Sequence, residues 1–236
     1  MRVGRSAHMM YRILSLFLLL ALLAPGISQA GDLVGDLSRA APMAKPDAIR
    51  RAVEAMQCAT GGSATQPHRL ALIDYSLPSS QRRLWVFDLK TRQVLYKVLV
   101  AHGRNSGSNY ASHFSNSNGS FQSSLGLFRT LATYRGKHGY SLRLEGMEPG
   151  LNDNAQERAI VIHGAKYVNP DLIALQGRIG RSLGCPAVRP AVAKPLIDAL
   201  KNGQYLYAYY PGADRDASLL TCNGGHSGLL TTASNP

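Results

Sequence analysis

The chain has 236 residues, 45% of them hydrophobic, with 26 basic against 14 acidic residues and a formal charge of +12 at pH 7. That length suffices for one good-sized domain with its own core. The charge favours a polyanionic partner, but no nucleic-acid recognition motif accompanies it, and no nucleic acid is expected among the partners.

Residues 1–30 read as a secretory signal peptide. Arg2, Arg5 and Arg12 form a positive leader, residues 13–24 are apolar apart from Ser15, and Ser28 and Ala30 are the small residues a signal peptidase reads. Twelve apolar residues span roughly 18 Å of helix, short of the about 30 Å of a bilayer core, so cleavage is favoured over an uncleaved anchor. No later segment is long and apolar enough to span. The mature protein is expected outside the cytoplasm, in the periplasm or the extracellular cell-wall space. Anionic wall polymer or anionic lipid fits that compartment and the charge, although basicity can also serve solubility alone.

Residues 31–64 are expected to be an N-terminal linker followed by an amphipathic helix. Residues 31–44 are small, polar and Pro-containing, and are read as little-structured. From Pro46, Ile49, Val53 and Met56 recur at helical spacing with Arg50, Arg51 and Glu54 opposite, and Gly61-Gly62 ends the run. This helix is expected on the outside of the main domain, which runs from 65 to 212.

Within that domain, 69–75, 83–88 and 93–100 predict strands, the last two joined by a turn near Lys90 to Arg92. Residues 102–126 are rich in Gly, Ser and Asn and too long for a tight turn, which suggests a lid or binding loop. Residues 158–163 predict a buried strand. A short helix is expected at 194–202, with Pro195 in its first turn and Gly203 just past its end, then a last strand at 204–210. Residues 213–236 form a polar tail.

Two segments carry chemistry. The first is Ile160-Val161-Ile162-His163-Gly164-Ala165, a strand ending in histidine and glycine. The second runs from Gly177 to Val188, a glycine-rich loop bearing Arg178, Arg181, Ser182 and one cysteine, Cys185. Thiol catalysis needs a thiolate, which a histidine and local positive charge help to supply. His163 is the candidate base, with Arg178 and Arg181 the candidate charges. Gly184 lets the backbone approach a substrate, and the successive N–H groups of Leu183, Gly184 and Cys185 are candidates for an oxyanion hole. A lone cysteine is more often a buried structural thiol; the basic, glycine-rich setting favours the nucleophile. His102, His113 and His138 lie in or near the loop region, at spacings that match no metal signature, and no metal or cofactor is expected.

The pair resembles the YkuD-type L,D-transpeptidases, which carry His-Gly at a strand end and, some twenty residues on, Ser-His-Gly-Cys. The chain is more similar still to the murein L,D-transpeptidase catalytic domain family. The resemblance covers residues 65–212 and rests on Ala101-His102-Gly103, Ser123-Ser124-Leu125-Gly126, Tyr134-Arg135-Gly136-Lys137-His138-Gly139, Arg158 through Tyr167, and Gly180-Arg181-Ser182-Leu183-Gly184-Cys185-Pro186-Ala187. Leu183 stands where the wider family has histidine, and Pro186 where it has a bulky aliphatic residue; the second departure belongs to the subgroup.

The resemblance implies a mainly β, sandwich-like catalytic domain with short flanking helices, acting on peptidoglycan stem peptides. It implies Cys185 as nucleophile and His163 as base, with the Gly164 carbonyl orienting the ring. Arg181 and Arg178, with Ser182, are the expected substrate-binding side chains, the arginines through bidentate contacts to carboxylates. A carboxypeptidase or endopeptidase on the same fold and a non-catalytic wall-binding protein are the alternatives. Sortases space His and Cys much further apart, and papain-like wall peptidases place Cys before His. If Cys185 is a free nucleophile, Cys58 and Cys222 are left to pair, in a bridge joining the two ends of the domain.

Overall fold

Strand β1 (Arg69–Asp74) shows how the domain is layered. Leu70 and Leu72 point into one buried cluster, while Ala71 and Ile73 point into another. Strand β8 (Tyr205–Tyr209), its parallel neighbour, does the same, with Tyr205, Tyr207 and Tyr209 on the first side and Leu206 and Ala208 on the second. Side chains alternate across a strand, so a sheet covered on both faces reads as continuously apolar.

The computed structural model describes residues 29–61 and 66–212, with side chains from 33 onward. Strands β2 (Leu84–Asp88), β3 (Gln93–Val98), β4 (Gly126–Gly136), β5 (Gly139–Gly146), β6 (Val161–Gly164) and β7 (Ala187–Val188) complete one sheet, ordered β3-β2-β1-β8-β4-β5-β6-β7. The β1–β8 and β6–β7 pairs are parallel and the others antiparallel. Beyond β3, the Ala101 amide donates to the Ala187 carbonyl at 2.9 Å, so the chain leaving one edge of the sheet meets the other edge. The fold is mainly β, with a barrel-like closure and a few short helices.

The inner cluster is capped by helix α4 (Pro190–Leu200), which buries Ala193, Leu196, Ile197 and Leu200. This helix starts four residues earlier than the sequence suggests, with Pro190 rather than Pro195 in its first turn, and Pro195 lies inside it. An interior proline costs about 3 kcal/mol, which burial of those four apolar side chains offsets.

The outer face is covered by helices α1 (Gln29–Ala40) and α2 (Pro46–Thr60). Leu37 of α1 and Ile49, Ala52, Val53 and Met56 of α2 pack with Leu70, Trp85, Phe87 and the β8 tyrosines. Residues 31–44 are therefore not a loose leader. Docking on α2 and β3 stabilises a stretch too weakly apolar to read as a helix by itself, and Asp36 pairs with Arg39 and with Arg92 of the β2–β3 turn.

Strands β4 and β5 are the two longest, with 11 and 8 residues, and are absent from the predicted elements; so is helix α3 (Asp171–Gln176). A register shift between Thr130 and Thr133 breaks the period of two in β4, and glycines at both ends of each strand resemble turn signals.

The expected signal peptide, but for the backbone of its last two residues, and the tail from 213 lie outside the described residues, as does Cys222. Cys58, near the end of α2, is half of a disulfide, and Cys185 is a free thiol. Non-reducing peptide mapping should recover Cys58 joined to Cys222, with Cys185 taking up a thiol reagent in the native protein. Alkylation of Cys58 or Cys222 without prior reduction would exclude the bridge. Closing so long a loop is worth roughly 4–5 kcal/mol on the chain-entropy model.

Candidate active site

His163 lies on β6 between Ser141 of β5 and Ala187 of β7, and Cys185 precedes that last partner by two residues. Sheet pairing thus brings the two segments singled out in the sequence side by side. The His163 ring is 2% exposed, and its Nδ1 lies 3.0 Å from the Gly164 carbonyl. A carbonyl only accepts, so Nδ1 carries the proton and Nε2 keeps its lone pair. Burial pulls the His163 pKa below its ordinary value, outweighing the Gly164 hydrogen bond that raises it; nearby His138 lowers it further.

The Cys185 thiol is half-buried against the inner core and lies 3.6 Å from the Ala159 carbonyl. Burial pushes its pKa up, against a downward pull from the Val161 and Cys185 backbone N–H groups and the Arg158 cation. Both shifts favour the uncharged forms, a thiol and a neutral imidazole. For Cys185, desolvation of a partly buried sulfur outweighs the one cation that acts on it.

That cation is Arg158, not Arg178 or Arg181. Its Nη1 donates to the Ser115 carbonyl at 2.6 Å and to Ser124 Oγ, and its Nη2 to the Gln122 carbonyl at 2.6 Å and to Ser120 Oγ at 3.1 Å. One guanidinium therefore ties together residues 115–124 of the 102–126 loop. Gly184 is required where the two loops meet. Its φ is +126°, and a Cβ there would lie 2.8 Å from the Gln122 carbonyl oxygen.

Residues 40–209 match the L,D-transpeptidase catalytic domain family. The chain belongs to that family. The match takes in α2 as well as the sheet. No curated protein matches the chain. Among solved structures, an L,D-transpeptidase from Mycobacterium smegmatis is similar at 16% identity and a TM-score of 0.39, over 62% of this chain and 60% of that one. L,D-transpeptidase 1 of Mycobacterium tuberculosis gives 14% and 0.36 over 62% and 63%. The helical cell shape determining protein Pgp2 of Campylobacter jejuni gives 14% and 0.41 over 64% and 52%. The chain thus spans less than two thirds of the length of each of these structures.

The remaining expected site residues of this transpeptidase-family domain take varied places. Ser182 is buried; its Oγ donates to the Cys185 carbonyl at 2.7 Å and accepts from the Gly184 amide at 3.1 Å. It braces the Cys185 loop and engages the Gly184 N–H, one of the three amides expected to line an oxyanion hole. Arg181 Nη1 donates to the carbonyls of Arg104 and Gly107 at 3.0 and 2.9 Å, so that nitrogen clamps a loop. Arg178 Nη1 donates to the neighbouring Ile179 carbonyl. Leu183, two residues before Cys185, is 58% exposed.

The other family motifs converge beneath this loop. Ser123 Oγ accepts from the Gly103 amide and donates to the Gly184 carbonyl, at 3.0 and 3.2 Å. The His102 carbonyl accepts from the Ser182 amide at 2.9 Å. The His102 ring is fully buried, with Nδ1 2.6 Å from Arg83 Nη2 and Nε2 3.3 Å from the Gly107 carbonyl, and its pKa falls to about 4 through burial and the Arg83 charge. It is a neutral structural bridge.

His113 pairs with Ser112, and His138 stacks on His163, so the three loop-region histidines stand apart from one another. Among the described residues, no group of three or more His, Cys, Asp or Glu side chains is placed to hold a metal ion, and no helix is long and apolar enough to cross a membrane. Arg158 is the residue that sequence reasoning missed as a site group. The available signal was its place at the head of the motif that ends in His163.

Proposed function

We propose that this protein is an exported peptidoglycan L,D-transpeptidase that works through a Cys185 thioester. The observation that carries the reading is the His163 ring, buried and held by the Gly164 carbonyl so that an unprotonated Nε2 remains, on the strand paired next to the Cys185 loop. Such a base takes the thiol proton as sulfur attacks, so the nucleophile need not be ionised at rest.

In this reading Cys185 Sγ attacks the carbonyl of the diaminopimelate residue in a stem tetrapeptide, and the proton passes to His163. The tetrahedral oxyanion is held by the Leu183 and Cys185 amides. Collapse breaks the bond to the terminal D-alanine, whose amine takes the proton from His163, leaving a thioester on Cys185. The amine of a second stem then attacks the thioester, returning a proton through His163 to sulfur and forming a cross-link. Water in place of that amine would trim the stem. Export to the periplasm or cell-wall space follows from the leader at residues 1–30, and the basic surface suits an anionic wall.

Purified protein incubated with defined tetrapeptide muropeptides, with products identified by mass spectrometry, tests the proposal. Cross-linked dimers with release of D-alanine are expected. Tripeptide alone would make the enzyme a carboxypeptidase on this fold, and unchanged substrate would leave a wall-binding protein.

A further inference from the structure

The β4–β5 hairpin ends in a two-residue turn, Lys137-His138, between the paired glycines 136 and 139. Its histidine stacks on the ring of His163, with centroids 4.3 Å apart and planes 25° from parallel. Backbone pairing does not demand this contact. His163 is paired through the backbone to Ser141, three residues further along β5, so the ring of an exposed turn residue reaches across to the buried base.

We propose that His138 is a positioning residue for His163: its ring holds the plane of the imidazole on one side and sets a second ionisable group against protonation of the base. The proposal rests on the reading of His163 as the base. With Nδ1 tied to the Gly164 carbonyl, the ring is still able to tilt about that single bond, and a stacked partner resists the tilt. Positive charge on the stacked ring, 4.3 Å away, disfavours protonation of His163.

Other charged or titratable groups lie on the elements flanking β6. They include Lys137 beside His138, Tyr140, Arg143 and Glu145 on β5, Cys185 in the loop before β7, and Lys194 and Asp198 on α4, with Glu145 paired to Arg129 at 2.6 Å. Arg143 lies over the Tyr134 ring at 4.4 Å, and Asp198 pairs with Lys194 at 2.6 Å and accepts from the Tyr140 hydroxyl at 2.8 Å. His138 is the one in ring contact with the base, and the charge that lowers the His163 pKa comes from it.

Two variants separate the roles, since Phe keeps the stack without the charge and Ala keeps neither. The His163 ring is titrated by NMR in the wild type, His138→Phe and His138→Ala, and kcat and KM are measured on muropeptides. The His163 midpoint is expected to rise by about half a pH unit or more in both variants, because the like charge is gone. On the substrate, His138→Ala should lose about tenfold in kcat at little change in KM, and His138→Phe should recover most of it. An unmoved His163 midpoint in both variants overturns the inference, as does an equal rate loss in both. The titration needs no turnover, so a protein inert towards muropeptides sinks the transpeptidase reading while the midpoints still decide the role of His138.

Discussion

Cys185→Ala and His163→Ala should each reduce acyl transfer to muropeptides by on the order of 10⁴-fold or more, and the double variant should be little worse than either single one. In the proposed mechanism the sulfur forms the bond and the imidazole, as base, moves its proton, so removing either disables the same step. Cys185→Ala removes one half-buried atom and should fold normally, which a thermal melt checks. The pH profile of the wild type carries a further test. The base works only when neutral, and burial lowers the His163 pKa. Activity should therefore persist below about pH 6.5, the ordinary imidazole value, and fall as pH drops through the depressed pKa. Full activity in Cys185→Ala would end the thioester mechanism. An acid limb at or above the ordinary imidazole pKa would end the neutral-base account.

Loss of Arg158 should have the next largest effect. Arg158→Ala removes four hydrogen bonds to the loop beneath Gly184 and the cation that pulls the thiol pKa down. We expect a stability loss of about 3 kcal/mol, the worth of one or two charge-assisted hydrogen bonds. Alkylation of Cys185 by iodoacetamide at neutral pH should slow about threefold, because loss of that cation lowers the thiolate fraction while the thiolate that remains is more nucleophilic. Arg158→Lys keeps the charge but cannot span two pairs of acceptors with a planar fork, so it should restore alkylation better than stability. A wild-type alkylation rate in Arg158→Ala would show that the cation does not reach the thiol.

Several of the motif segments are far apart in sequence and meet around the loop that carries Cys185. Gly103, Ser123 and Arg158 all bear on the backbone around Gly184, directly or through a single hydrogen bond. The departure at Leu183 leaves that support untouched, since its side chain is exposed and the loop is held by Ser182 and Ser123.

Local sequence determined the parts whose signals are local. The helical spacing of Ile49, Val53 and Met56, the apolar runs of β1 and β2, the turn before β3, and the glycine-rich loop around Cys185 each follow from a few neighbouring residues. The likeness of the His163 and Cys185 segments to known motifs likewise lies within short runs. Tertiary structure decided the rest, because contacts from outside each segment settled it. Helix α1 forms where α2 and β3 cover it, and β4 and β5 pair through a bulged register that hides their alternation. Arg158 finds acceptors 34 to 43 residues earlier in the chain, which no periodicity announces. One nitrogen of Arg181 is engaged by carbonyls 74 and 77 residues earlier in the chain, a contact that the basic loop alone does not announce. The protonation of the site was decided there too, because the burial that raises Cys185 and lowers His163 is a property of the assembled core.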